Sequence, residues 1–404
     1  MADEGREPAV EDLGRWRAEF PILERSVYMI SNSLGAMPRG AADGLAKYAE
    51  TWATRGIRAW EETWWELAGQ VGNKVAGIIG APQASVSMHE NVTTAETVVL
   101  SCLRPEGHRR KIVCLEMDFP SLIYLYRAHE PLGFEVALVP CEPDLTTSVE
   151  RLLQAIDEST LLVALSHVLF RSSYIMDVLP IVRRAHAVGA RVVLDTYQSA
   201  GIIPVDVTAL NVDFAVGGCL KWLCGGPGNA FLYTRPDLMG ALVPRFTGWV
   251  GHRDPFAFDT GPMTPRVDAL RMMNGTPSIP AYYAAIAGLD IVREIGVERI
   301  RAKSKKMTTH LFDLIDRNGF SSTASRYPER LAGTVALTVP DAKYVARTLK
   351  ALDFLVDYRV GSGIRISPHF YNTFEELDRL IAEVVRIVKT KDYDMTAPFT
   401  SLVT

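Results

Sequence analysis

The stretch VVLDTYQSAGIIPVDVTALNVDFAVGGCLKWLCGGPG, Val192–Gly228, decides how this chain folds. With Arg191 it opens on the run Arg191–Leu194, apolar on successive residues, the pattern of a strand covered on both faces of a largely parallel sheet. Asp195 then stands at the carboxyl end of that strand, the edge where open α/β sheets bind ligands. A second run, Asp213–Val216, leads into Gly217 and Gly218, and Lys221 follows Asp195 by 26 residues, ahead of Gly225, Gly226, Pro227 and Gly228. A lysine between two glycine pairs lies on a backbone that can approach a ligand closely, which suits covalent attachment through its amine. A carboxylate can keep a pyridine nitrogen protonated and turn the ring into an electron sink, so Asp195 and Lys221 form a candidate pair.

Working outward, Lys111–Leu115, Glu135–Val139, Leu161–His167 and Ala230–Tyr233 also read as strands, and a helix from about Val178 ends at Gly189. Strand and helix alternate, which is the order of a doubly wound α/β body with a mostly parallel sheet. Ala41–Gly80 reads as helical, with Trp52, Trp60, Trp64 and Trp65 close together, an arrangement expected for core packing or an oligomer contact. Past Pro280 the pattern changes to helices at Ala281–Glu294 and Ile300–Arg317. A strand at Thr334–Thr338, a helix at Lys343–Leu352, a strand near Ile364–Ile366 and a helix at Thr373–Thr390 follow. That succession predicts a smaller α+β C-terminal domain. The expected division is an arm over 1–45 that joins the small domain, a large domain over 46–279 and a small domain over 280–404, with the boundary near Pro277–Pro280.

The formal net charge of -4 leaves no basic field for a phosphate polymer, so nucleic acid is not an expected partner. Five cysteines without a CxxC pair indicate neither a disulfide framework nor a zinc site and fit a reducing cytoplasm. No apolar run reaches the length of a membrane span, and no metal site is expected.

Further motifs run along the chain: SNSLGAMP at Ser31–Pro38, EMDFPS at Glu116–Ser121, and SHVLFRSSYIMDV at Ser166–Val178. DTYQ at Asp195–Gln198, LKWLCGGPG at Leu220–Gly228, GWVGH at Gly248–His252, NGTPS at Asn274–Ser278 and IRISPHFYNT at Ile364–Thr373 complete the set. In this order they resemble the fold-type I, class V group of pyridoxal phosphate enzymes, and more narrowly kynureninase and its relatives. The resemblance implies that Lys221 carries pyridoxal 5'-phosphate as a Schiff base, that Asp195 meets the ring nitrogen, and that Gln198 reaches the ring hydroxyl. Phe119 would stack on the ring. Ser166 and Trp249 would border the cofactor, and Thr276 would come from the second subunit of a homodimer with shared active sites. Thr93 and Thr94 precede a helical run, whose free amides suit the cofactor phosphate. Arg365 matches the family's grip on the substrate α-carboxylate, a task for which a guanidinium's planar fork is suited. Asn32 and Ser33 would meet the substrate, with Ser31 beside them and Trp60 and Trp64 at the mouth if their helix faces it.

The chain departs from the kynureninase pattern at three places. Leu220 replaces a tyrosine before the lysine, Leu122 replaces an aspartate after FPS, and Leu169, Phe170 and Arg171 stand for asparagine, tyrosine and arginine. Hydrolysis of a β-ketone needs the proton transfers that such polar groups support. What remains is a kit for removing a Cα proton and expelling a Cβ substituent, with sulfur as the leaving group that needs least acid assistance. The expected activity is therefore a carbon-sulfur β-lyase on an S-substituted cysteine in specialised metabolism such as antibiotic biosynthesis. The alternatives are oxidative decarboxylation-deamination to an aldehyde, a kynureninase-type hydrolase, and a class V aminotransferase. Cysteine desulfurase is disfavoured because the last cysteine is Cys224, far ahead of IRISPHFYNT.

Overall fold

A computed structural model describes residues 11–395. Its elements in chain order are β1 (Val27–Tyr28), α1 (Arg39–Arg55), α2 (Trp65–Ile78), β2 (Val86–His89), α3 (Val92–Cys102), β3 (Lys111–Leu115), α4 (Pro120–Ala128), β4 (Glu135–Val139), α5 (Val149–Ala155), β5 (Thr160–Ser166), α6 (Val178–Ala187), β6 (Arg191–Asp195), β7 (Phe214–Gly218) and β8 (Ala230–Thr234). They continue as α7 (Pro236–Met239), α8 (Ile279–Ile295), α9 (Val297–Arg317), β9 (Ser321–Ser322), β10 (Val335–Thr338), α10 (Ala342–Ala351), β11 (Phe354–Leu355), β12 (Asp357–Arg359), β13 (Gly363–Ile366) and α11 (Phe374–Thr390).

Seven strands form the large sheet in the order β2-β8-β7-β6-β5-β3-β4. β8 runs antiparallel to both neighbours, and the other pairings are parallel. Its parallel strands are apolar on both faces for a visible reason. Val113, Leu115, Val163, Leu165, Val192 and Leu194 join one core cluster with α2 and α6, while Ile112, Cys114, Leu162, Ala164 and Val193 join another with α3 and α4. This is the α/β class expected, with helices on both sides of the sheet.

The smaller antiparallel sheet, β12-β13-β10-β9, packs Val335, Leu337, Ile364 and Ile366 against α9, α10 and α11. Thr373 caps α11 reciprocally with Glu376, which fixes where that helix begins. The change of core falls inside α9 rather than at Pro277–Pro280. Ile279, Leu289, Val292 and Ile300 pack into the large core, and Met307, Leu311 and Ile315 into the small one.

The expected arm bridges the two cores: Leu13, Phe20 and Leu23 belong to the large one, Val27 and Met29 to the small one, and β1 pairs with β11. Its first ten residues lie outside the described ones. The helical reading of Ala41–Gly80 needs one correction: α1 stops at Gly56, whose φ of 54° breaks the helix, and a π-helical turn at Trp60–Trp64 precedes α2. No helix among the described residues is long and apolar enough to cross a membrane.

Candidate active site

Four chain segments meet at the carboxyl edge of the large sheet. β5 ends on Ser166 and β6 on Asp195, which are direct partners in the ladder; β3 leads to Phe119 and β7 to Lys221. They enclose a cavity of about 260 Å³, also lined by Asn32, Ser33, Thr93, Gln198, Leu220, Arg359 and Arg365. Glycines make this convergence possible. A Cβ on Gly218 would lie 2.2 Å from the Tyr197 ring, and one on Gly35 would lie 2.1 Å from the Lys221 carbonyl. Gly35 also donates its amide to the Leu220 carbonyl at 2.8 Å, docking the Ser31–Pro38 loop onto the lysine segment.

Lys221 Nζ sits 4.3 Å from the Tyr197 ring centroid and 6.0 Å from that of Phe119. Burial pulls its proton affinity well below the ordinary lysine range; Asp195 opposes this, and Arg365 and Arg359 reinforce it. Asp195 is buried, and that burial raises its carboxyl above the usual range against the Tyr197 amide, 2.7 Å away, and Lys221. Behind it lie two further buried acids. Asp118 accepts from the Ser166 hydroxyl at 2.8 Å and from the amides of Ser166 and Leu115, yet burial still lifts it to about 7. Glu96, bonded to the Tyr126 hydroxyl, is lifted to about 8 by burial and by the charges of Asp195 and Asp118.

The part of the cavity suited to a phosphate is the start of α3. Asn91 caps the helix by accepting from the Thr94 amide, which leaves the amides of Val92 and Thr93 without intrahelical partners and beside the cavity. Thr93 lines the cavity as expected. Thr94 does not: its hydroxyl lies 3.2 Å from Asn91 Oδ1, so it belongs to the cap. Gln198 faces the cavity with most of its amide committed, donating to the Asn32 carbonyl and accepting from Trp222 Nε1.

These residues fit pyridoxal phosphate. A buried carboxylate with one oxygen held by a backbone amide suits a protonated ring nitrogen, the Phe119 ring is 41% exposed and free to cover a flat group, and a helix start suits a phosphate. Among the described residues there is no cluster of ligands able to hold a metal ion.

The end of the cavity lined by Ser33 and Arg365 is hydrogen-bonded within the chain. Arg365 is buried and already engaged: Nε and Nη2 donate to Asp357, Nη2 also to Ser33 Oγ at 3.2 Å, and Nη1 to the Phe170 carbonyl at 2.8 Å. Trp249 and Thr276 stand outside the cavity lining, Trp249 packed with Trp65, Phe256 and Phe258. Trp60 and Trp64 belong to the aromatic group around Tyr48 and do not line the mouth. Ser31 is withdrawn onto the Tyr371 hydroxyl.

The family model described as Aminotransferase class-V matches residues 27–380. The chain belongs to that family. It is 30% identical over 399 residues to a kynureninase of Bacillus thuringiensis subsp. konkukian (strain 97-27), covering 95% of this chain and 93% of the relative. Its fold matches a cysteine desulfurase from Thermococcus onnurineus NA1 with a TM-score of 0.82 at 22% identity, over 96% of this chain and 99% of the other. A cystine C-S lyase in complex with its product cysteine persulfide gives a TM-score of 0.82 at 22% identity, over 93% and 99%.

Within this class V, kynureninase-like chain the three apolar departures separate. Leu122 and Leu220 line the cavity together with Val168 and Phe170, whereas Leu169 is fully buried in the large core and faces no ligand. Tyr197, Asp357 and Arg359 went unnoticed in the sequence. Tyr197 was hidden inside DTYQ. The other two were legible only through the turn Val360–Ser362, which folds DYR back onto GIRI and sets Asp357 opposite Arg365.

Proposed function

We propose that the protein is a pyridoxal phosphate-dependent lyase that removes the α-proton of an S-substituted L-cysteine and breaks its Cβ–S bond, acting as a cytoplasmic homodimer in specialised metabolism. The observation that carries this reading is the apolar wall of Leu122, Val168, Phe170 and Leu220, which shares the cavity with Lys221. Bound there, the cofactor supplies an electron sink at the substrate α-carbon. Lys221 would be its attachment point, Asp195 would meet the ring nitrogen, Phe119 would cover the ring, and Thr93 with the start of α3 would receive the phosphate.

Burial lowers the Lys221 amine to about 7, so that a substantial fraction is neutral near neutral pH and Nζ can accept the α-proton. A thiolate can leave Cβ without a protonating side chain, because thiols ionise near pH ~8.5. The balance is one S-substituted cysteine and one water to pyruvate, ammonia and a thiol. The apolar wall offers nothing to hydrate a ketone, and no cysteine follows Cys224 to accept a persulfide. Trp249 and Thr276, outside the cavity of their own chain, support a reading in which they approach the site of a second subunit.

The 30% identity to a kynureninase supports hydrolysis as the rival, and the same apolar wall suits oxidative decarboxylation. The test is to incubate the cofactor-loaded protein with S-methyl-L-cysteine and with kynurenine, following pyruvate, anthranilate, carbon dioxide and oxygen. Pyruvate without oxygen uptake is expected. Anthranilate without pyruvate, or oxygen-dependent carbon dioxide release, overturns the assignment.

A further inference from the structure

One uncharged residue touches both Asp195 and Lys221. The Tyr197 amide donates to Asp195 Oδ1 at 2.7 Å, while Lys221 Nζ stands over the Tyr197 ring, 4.3 Å from its centroid. That separation is well inside the roughly 6 Å over which an aromatic face attracts a cation, whereas Phe119, at 6.0 Å, stands at the limit. Gly218 gives the ring its seat. A Cβ there would lie 2.2 Å from Cε2, 2.5 Å from Cζ and 2.7 Å from the hydroxyl oxygen of Tyr197, so the hydroxyl end rests over the end of β7.

The hydroxyl is no acid or base for this site. Burial, with Asp195 and Cys219 adding to it, raises its ionisation far above neutral pH. Around the amine the charged groups balance in number: Asp195 at the end of β6 and Asp357 on β12 favour its proton, Arg365 on β13 and Arg359 on β12 oppose it. Burial opposes it most. A base that takes a proton must also hold it until the next acceptor is in place, and a desolvated site makes the cationic amine costly. An aromatic face attracts that cation without bringing a further acid, base or net charge.

We propose that Tyr197 is a positioning residue whose ring face holds the proton-bearing form of the Lys221 nitrogen, so that the amine can both take the substrate α-proton and keep it. This rests on the reading of Lys221 as attachment point and base, but not on which bond is cleaved afterwards.

The test follows the proton on Lys221 Nζ in two ways. The absorbance of the protein loaded with pyridoxal phosphate is titrated against pH, and in the cofactor-free full chain the pH dependence of Lys221 acetylation, which only the neutral amine undergoes, is read by mass spectrometry. Tyr197→Leu is expected to lower both midpoints by about one pH unit, a roughly tenfold weaker hold on the proton. Tyr197→Phe keeps the face and should leave them in place. Loss of packing alone would let water reach the amine and move the midpoints up, so the direction separates a ring that holds charge from one that only fills space. A ring-fluorinated phenylalanine in place of Tyr197 keeps the shape and weakens the negative face, so it should lower the midpoints relative to Tyr197→Phe even where Tyr197→Leu folds poorly. Midpoints that rise, or that stay within about 0.3 of a pH unit of Tyr197→Phe in the fluorinated variant, overturn the inference. Midpoints that fall while S-methyl-L-cysteine yields no pyruvate leave it standing and remove only the lyase assignment.

Discussion

The two ends of the cavity are built on different physical terms. At the cofactor end Asp195, Ser166, Phe119 and Lys221 hang from the carboxyl edge of one parallel sheet, and their buried groups are held away from their ordinary protonation: Lys221 low, Asp195, Asp118 and Glu96 high. At the other end Asn32, Ser33, Phe170, Asp357 and Arg365 come from three distant parts of the chain, and buried charge is matched by opposite charge within hydrogen-bond reach. The first end holds groups ready to react; the second cross-links the small domain's sheet to the large body. Function and stability should therefore respond oppositely to substitution at the two ends.

Lys221→Ala should change function most. Removing the proposed attachment point and base should lower turnover by about a thousandfold or more, while the cofactor-free protein, relieved of a buried amine, melts no lower than cofactor-free wild type. A clear fall in melting temperature would erase the distinction between the ends. Asp357→Ala is the converse. It leaves the Arg365 guanidinium buried without its carboxylate, and chemical denaturation should show a loss of about 3–5 kcal/mol. Near-wild-type stability would mean that the pair does not fasten the two cores.

A smaller effect sharpens the account of the cofactor end. Because the Glu96 carboxyl is lifted from 4.5 to about 8 in the fold, folding favours its protonated form, and its contribution to stability is present at low pH and lost as pH rises through about 8. Denaturation of the cofactor-free protein between about pH 5 and about pH 9 should show wild type losing more stability than Glu96→Gln. Equal slopes would show that Glu96 ionises freely.

The same contrast governs how much could be read from sequence. β3 and β4 match their expected bounds, and β5, β6, β7 and β8 match to within one or two residues, because strands covered on both faces are continuously apolar and need no knowledge of their neighbours. Asp195 and Lys221 were legible because strand end and glycine-flanked lysine lie on one continuous segment. β2 was missed: Val86–His89 alternates Ser and His with apolar residues, and its burial comes from β8 and α2, far along the chain or on another element. Arg365 was assigned from its motif, but its commitment to Asp357 depends on hairpin register, and that register depends on a turn the strand pattern does not display. Trp249 illustrates the same limit, since its surroundings are set by the Pro255–Phe258 segment folding back on it.

Covalent attachment of the cofactor at Lys221 is the feature on which the proposed chemistry depends. Wild-type protein loaded with pyridoxal phosphate, reduced with borohydride and digested should carry the pyridoxyl group on the peptide containing Lys221, with Asp195→Ala weakening cofactor retention. Label on another lysine, or none at all with Lys221 recovered unmodified, would contradict it.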